Sequence, residues 1–456
     1  MTTSKLRNNR IARRQFLQFS AYGALSATMN GIAPRRSIAA STTQNPIKAC
    51  IFVMHYGGPS HLDTWDMKPN GPAEMRGEYK PIATNVAGRI VCEHLPRMSR
   101  LVDKVALIRS MHHPMTNHNA AMYEALVGRL PDGGDNEILP ADRTNDCPSY
   151  GSTLTYLTEQ GKLPRGPLPL TNVALPHVLH NVVDLAGQNA GFLGGRYDPL
   201  QVVGDPNRPE FRVDALSLPG DVPVSRFTSR VELLNQLNEF PLDNDRQMQA
   251  YQERATTLLL DQQVQHAFDI AQEPAALRDR YGRHKFGQSM LLARRLVESG
   301  VRFVNVNDKR TNGQITNWDS HETIFPRHKQ LLPLMDQGLS ALIEDLDQRG
   351  MLESTLVVSM GEFGRTPKIN GNAGRDHWPN CYHVLLGGGG VDAGVTYGAS
   401  DRMGAYPVDH PVTPGDLAAT LYWRFGIDPE HEIHDAFGRP FRLATGRPLS
   451  PLFPTA

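Results

Sequence analysis

The chain has 456 residues, of which 40% are hydrophobic, and its 47 basic and 47 acidic side chains balance. That balance excludes the strongly basic profile of a nucleic-acid binder. Four cysteines without Cys-x-x-Cys spacing, Cys50, Cys92, Cys147 and Cys381, exclude a zinc-ribbon or dithiol redox motif and read as small buried apolar residues.

At the N-terminus Lys5, Arg7, Arg10, Arg13 and Arg14 precede an apolar stretch from Phe16 to Ala33, and no acidic residue occurs before Asp63. This is the charge and hydropathy pattern of a targeting segment. Arg13-Arg14-Gln15-Phe16-Leu17 matches the twin-arginine signal, in which the arginine pair is read by a receptor. The alternative is a membrane anchor, which needs about 20 predominantly apolar residues. Gln18, Ser20, Ser26, Thr28 and Asn30 dilute the run. Residues 1–40 are therefore expected to be a signal segment, cleaved near Ser37-Ile38-Ala39-Ala40. The expected product is a periplasmic or otherwise exported protein, delivered by the twin-arginine export machinery and without a membrane span. It would hold 416 residues with 40 basic against 47 acidic side chains, a net charge near −7. Its length can bury a large core as one domain or two.

From Asn45 onward, short apolar runs alternate with longer amphipathic segments, the signature of a largely parallel α/β sheet covered by helices. Ala49–Met54 is apolar at consecutive positions, as a strand buried on both faces should be, and it stops at Gly57-Gly58-Pro59. Val105–Ile108 is a second such run, followed by a helical segment Met122–Val127. Residues 130–245 are rich in Pro and Gly with weak periodicity, which predicts a loop-rich insertion draped over the sheet edge; a long helix is expected near 247–271. Phe286, Met290, Ala293 and Val297 form a helical stripe closed by Gly300, and Val301–Val306 reads as strand. Leu331, Met335, Leu339, Leu342 and Leu346 form the next stripe, with Pro333 expected in its first turn and Gly350 as its stop. Thr355–Met360 and Tyr382–Leu386 are further strands, and Thr413-Pro414-Gly415-Asp416 is an N-cap signal for a helix through Trp423.

Four segments place polar residues just beyond an apolar run, where parallel α/β sheets bind ligands. After the first strand, Gly57-Gly58-Pro59 allows close backbone approach to a ligand, and Ser60, His61 and Asp63 offer a hydroxyl, an imidazole and a carboxylate. The bland alternative is a tight turn with Asp63 and Asp66 as local caps. After Val105–Ile108, Ser110, His112, His113, Thr116, Asn117 and His118 lead into a helix N-terminus, which suits an anion. Here Asn117 and His118 read as functional, whereas His112 and His113 read as surface or supporting residues. Asp319-Ser320-His321 sets a carboxylate and an imidazole two residues apart, near enough to share a cation. Glu362, Arg365, Asp376 and His377 flank two apolar strands and are costly to bury unpaired, so they call for an ion-pair partner, a ligand or a metal.

The strings Gly57-Gly58-Pro59-Ser60-His61, Trp318-Asp319-Ser320-His321, Gly361-Glu362-Phe363-Gly364-Arg365-Thr366-Pro367 and Gly374-Arg375-Asp376-His377-Trp378 resemble the domain of unknown function 1501 family over residues 46–445. That family is in turn similar to the alkaline phosphatase and sulfatase superfamily. The resemblance implies a single α/β domain with a mostly parallel sheet sandwiched by helices, and one or two metals at the strand ends acting on phosphate or sulfate esters. The superfamily's first-strand aspartate is replaced by Gly57-Gly58, so Asp63 or His61 would substitute. Its later Asp-His pair falls at Glu362-Phe363, and its final histidine corresponds to His377. Asn117-His118 is similar to the Asn-His of the nucleotide pyrophosphatase branch, but Pro114 stands at that branch's nucleophile position, leaving Thr116 and Ser110 as hydroxyls.

The expected function is a metal-dependent hydrolase of sulfate or phosphate esters on an anionic small molecule or exported polysaccharide. A divalent zinc, manganese or calcium would be held by Asp319, His321 and His377, with Asp63, His61, Glu362 or Asp376 completing the shell. Arg365, Asn117 and Ser60 would bind the anion, His118 would serve as general acid, and Thr116 as nucleophile. The alternative is a non-catalytic binding or scaffold protein on the same fold; a Thr116 or Ser110 hydroxyl at the metal site would favour the enzyme.

Overall fold

The computed structural model describes residues 45–218, 220–238, 246–308 and 318–454. The signal segment expected at residues 1–40 lies outside them.

Consecutive apolar positions become strands buried on both faces. Strand β1 (Ala49–His55) is buried at all seven residues, and it starts an ordered set: β2 (Val105–Met111), β3 (Asn172–Leu175), β4 (Leu200–Gln201), β5 (Phe303–Asp308) and β6 (Thr355–Met360). After a small antiparallel pair, β7 (Gly364–Arg365) with β8 (His377–Trp378), come β9 (Tyr382–Gly388) and β10 (Thr396–Tyr397). The eight-stranded sheet has the order β10-β2-β9-β6-β1-β5-β3-β4. Only β9 runs antiparallel to its neighbours β6 and β2. The carboxyl ends of β1, β2, β5 and β6 therefore open on one edge.

Helices cover both faces, as the alternating sequence pattern requires. One face carries α3 (Lys285–Glu298) and α4 (Ile324–Gln348) over Ile51, Val53, Val304 and Val357. The other carries α1 (His118–Val127), α2 (Tyr150–Glu159) and α5 (Pro414–Arg424) over Cys50, Phe52, Val358 and Leu386. Helix α5 begins with a complete capping box between Thr413 and Asp416 and Pro414 in its first turn. All four cysteines are free and buried. Among the described residues no helix is long and apolar enough to cross a membrane.

Three expectations need correction. Pro333 sits inside α4 and not in its first turn, because the helix starts at Ile324. An interior proline costs about 3 kcal/mol, which burial of Ile324, Phe325 and His328 upstream offsets. The segment 130–245 is not merely draped over the edge: it supplies α2 and two strands of the main sheet, β3 and β4. The helix expected over 247–271 is broken into Arg246–Leu260 and Gln262–Phe268, because the Asp261 side chain caps the second piece by accepting from the Gln263 and Val264 amides.

Glu124, on the buried face of α1, has an Oε2 without a hydrogen-bond partner, 3.7 Å from His113 Nδ1. Burial pushes its carboxyl up from 4.5 to about 7. A carboxyl whose folded pKa exceeds its unfolded one stabilises the fold below the unfolded value and loses that contribution as pH rises toward 7. Glu124→Gln is therefore expected to match the wild type in stability at pH 4 and to exceed it at pH 8 by about 3 kcal/mol, measured by denaturant unfolding at both pH values.

Candidate metal centre

The shared edge gathers residues that lie far apart in sequence. His118 is the first residue of α1, just beyond β2; Asp319 and His321 follow β5; Glu362 follows β6; His377 opens β8, whose register sets it opposite Arg365. Asp319 is the hub. Its Oδ2 lies 3.3 Å from His118 Nε2, and its Oδ1 lies 3.1 Å from His321 Nε2, 3.3 Å from His377 Nε2 and 2.6 Å from Arg365 Nη2. His321 Nε2 and His377 Nε2 are 3.0 Å apart.

Each imidazole is oriented from behind. His118 Nδ1 meets Glu362 Oε1 at 2.6 Å, His321 Nδ1 meets Asp376 Oδ1 at 2.7 Å, and His377 Nδ1 meets the Thr116 carbonyl at 2.7 Å. All three partners are acceptors, so Nδ1 carries the proton in each ring. In the neutral rings the Nε2 lone pairs of His321 and His377 then point at each other and at Asp319 Oδ1, and that of His118 points at Asp319 Oδ2, an arrangement that needs a proton or a cation between them. His118 Nε2 is buried with no hydrogen bond of good geometry.

This donor set fits a metal ion. His118, Asp319 and His377 each offer a ligand atom within 4.8 Å of the others. Ligands at about 2.0–2.2 Å around a tetrahedral cation stand about 3.3–3.6 Å apart, and His118 Nε2 and His377 Nε2 each stand 3.3 Å from an oxygen of Asp319. Glu362 behind His118 supplies the outer carboxylate that usually accompanies a metal-bound histidine.

The protonation balance follows from the same contacts. Burial works against ionising Asp319, but hydrogen bonds from the three histidines and the Arg365 charge hold its carboxyl well below the usual range. Burial disfavours charge on His118, yet the nearby Asp319 and Glu362 carboxylates win and raise its pKa. His321 is raised by Asp319 and Asp376, whereas burial lowers His377. His118 is buried in the cluster, while His321 and Asp376 face solvent with side chains 46% and 54% exposed.

Several residues expected at the site do other work. Glu362 accepts two bonds from the Gly57 amide as well as from His118, so it positions a ligand, and Asp376 stands behind His321 and positions that ring; neither faces the cluster's centre. Asp63 is taken up by Arg375, with Nε–Oδ2 at 2.7 Å, and by the Ser60 hydroxyl at 2.6 Å; a buried carboxylate is satisfied by the nearest buried guanidinium. His61 Nε2 bonds the Gly404 carbonyl. Arg365 is fully buried and spends its donors on the Gly57, Gly58 and Arg375 carbonyls and Asp319, so it positions Asp319 and is not available to an anion. Asn117 and the Thr116 hydroxyl are held by Asp135, and the Ser110 hydroxyl by the His410 carbonyl. The close approach expected of Gly57 is real but made to protein: at φ +107°, an added Cβ would lie 2.3 Å from the Asp319 amide nitrogen.

Sequence reasoning missed the brace under Asp319. His55 Nδ1 bonds Asp308 Oδ2 and His55 Nε2 bonds Ser359 Oγ, both at 2.9 Å, and Trp318 Nε1 donates to the same Asp308 oxygen. The order of groups is that of a hydrolase triad, but Ser359, His55 and Asp308 are buried at 5%, 2% and 8% exposure beside Trp318 and Phe286. They fix the residue preceding Asp319. Their register positions at the ends of β1, β5 and β6 were visible in the sequence, but their pairing was not.

The family model described as "Protein of unknown function (DUF1501)" matches residues 47–453. No curated protein sequence matches the chain. Among solved structures, the PsFucS1 sulfatase from Pseudoalteromonas sp. is similar at 12% identity, covering 92% of this chain and 72% of that one, with a TM-score of 0.38. The lipoteichoic acid synthase LtaP from Listeria monocytogenes is similar at 10% identity, covering 89% and 78%, with a TM-score of 0.39. A protein in the alkaline phosphatase superfamily from Vibrio parahaemolyticus is similar at 10% identity, covering 97% and 79%, with a TM-score of 0.37.

Proposed function

The chain belongs to the DUF1501 family, whose description assigns no activity, and we propose from the site itself that this member is a divalent-metal-dependent hydrolase of phosphate or sulfate esters. The observation that carries the reading is the gathering of ligand atoms from His118, Asp319 and His377 within 4.8 Å of one another at the carboxyl edge of a mostly parallel sheet. In this reading His118, Asp319 and His377 hold the cation, with zinc favoured by the imidazoles over calcium. The cation supplies polarisation of the ester oxygen and acidification of water.

The protein's own part is positioning and proton transfer. Glu362 and the Thr116 carbonyl keep the Nε2 lone pairs of His118 and His377 inward, and Arg365 keeps Asp319 ionised and in place. His321 stands at the solvent side with Asp376 behind Nδ1, and we assign it the general acid, delivering a proton from Nε2 to the leaving oxygen. This exchanges the roles expected from the sequence for His118 and His321. With the Thr116 and Ser110 hydroxyls engaged elsewhere, water is the nucleophile. The same engagement favours a second reading, a metal-binding protein without turnover. The acidic mature chain, with Arg13-Arg14 ahead of it, supports action outside the cytoplasm on small or polysaccharide-borne esters.

The test is elemental analysis of purified protein together with hydrolysis of p-nitrophenyl phosphate and p-nitrophenyl sulfate. About one divalent cation per chain is expected, with activity lost on chelation and restored by zinc or manganese. Metal loading is expected to fall from pH 7.5 to pH 5.5, because protons occupy the imidazole nitrogens that must be neutral to ligate. No bound metal and no shift in melting temperature with zinc, manganese or calcium would overturn the reading; bound metal without hydrolysis of either ester would leave the binding protein.

A further inference from the structure

A second site lies on the flank of the sheet. Strand β2 is near the sheet's edge, and on the face bearing Val105 and Leu107 it presents Arg109. Across from it runs a small hairpin, Pro81–Ala83 paired with Ile90–Cys92, with Arg89 just before its second strand. Between them is a cavity of about 350 Å³ walled by Trp65, Ile90, Val91, Val102, Leu107 and the two arginines. That volume lies in the range of small-molecule pockets.

The charges at this cavity do not balance. Asp66 is buried, and its oxygens already accept from Lys68 at 2.9 Å, from Arg109 Nη1 at 3.0 Å and from the Ser400 hydroxyl. One carboxylate thus answers two cations. Arg89 has no ion pair among the described residues, and its buried Nη1, like the buried Nε of Arg109, has no hydrogen-bond partner. Buried guanidinium donors left unmade are costly, and Arg89 and Arg109 also repel each other. An anion in the cavity, which both arginines line, offsets the two guanidinium charges together. The remaining wall is indole and aliphatic side chain, which accommodates an apolar body.

We infer that this cavity is a binding site, separate from the His/Asp cluster, for a small molecule that joins an anionic sulfonate-, sulfate- or carboxylate-type head to an apolar body. The head lies between Arg89 and Arg109, and the body lies against Trp65 and Leu107.

Calorimetric titration of the full chain with 2-naphthalenesulfonate tests it, with 2-naphthol and sodium sulfate as single-feature probes. The sulfonate is expected to bind about one per chain and more tightly than either probe. Affinity should fall about tenfold or more in Arg89→Gln, which breaks no ion pair and should not lower the melting temperature. In the wild type the affinity should also weaken from 50 to 500 mM NaCl, a readout that does not depend on the variant folding. The double variant His118→Ala with His377→Ala should bind the sulfonate as the wild type does. The inference is overturned if 2-naphthol binds as tightly as the sulfonate, if Arg89→Gln or added salt changes nothing, or if the double variant loses binding.

Discussion

Replacing His321 by Gln is expected to separate catalysis from metal binding, whereas replacing His118 or His377 by Ala is expected to abolish both. His118 and His377 reach Asp319 at 3.3 Å from the inner side, and His118 is buried with Glu362 at its back. Loss of either leaves two protein ligands, fewer than the three that catalytic zinc sites use. Metal stoichiometry should then fall toward zero, and hydrolysis by about a thousandfold or more, the several kcal/mol that a metal contributes. His321 faces solvent with Asp376 Oδ1 2.7 Å behind its Nδ1, so it is placed to hold and deliver a proton as an acid. His321→Gln should keep its metal, lose about a hundredfold or more in kcat, and lose the alkaline limb of the pH–rate profile that deprotonation of His321 imposes. Elemental analysis alongside a pH series of kcat reads both effects. A His321→Gln enzyme that loses its metal would make His321 a ligand and remove the proposed acid; one with unchanged kcat would remove its role altogether.

The second large effect is on stability. Arg375 is fully buried and bonds Asp63 through Nε and Nη2 at 2.7 and 3.1 Å, with further donors on the Thr366, Pro367 and Met75 carbonyls. Removing one partner of a buried pair strands the other charge, at a cost of about 3–5 kcal/mol. Arg375→Met should therefore unfold at clearly lower denaturant concentration, and the double change Arg375→Met with Asp63→Leu should recover part of the loss, since the two residues share one interaction. The same cycle decides whether Asp63 is a ligand. Metal content should be unchanged in any folded Asp63 variant, and a fall in metal without a fall in stability would return Asp63 to the coordination shell.

The strand interiors and the polar segments that follow them are legible in local composition. Fully apolar runs such as Thr355–Met360 have one stable solution, burial on both faces, so they are legible from local composition, and Thr413 to Asp416 encode their helix start within four residues. The same logic put Asp319, His321, Glu362, Asp376 and His377 at strand ends, hence on one crevice. What the sequence left open was which partner each charge takes. Asp63 pairs with Arg375, His118 with Glu362, and His55 with Asp308, at separations of 312, 244 and 253 residues. No local pattern reports contacts made across that much chain; they are set by sheet order and register. Only the tertiary structure could show that Arg365 is spent on backbone carbonyls and that Glu362 stands behind a ring. The reason is physical: a buried polar group must be satisfied by whatever lies within about 3 Å, and that neighbour is chosen by packing.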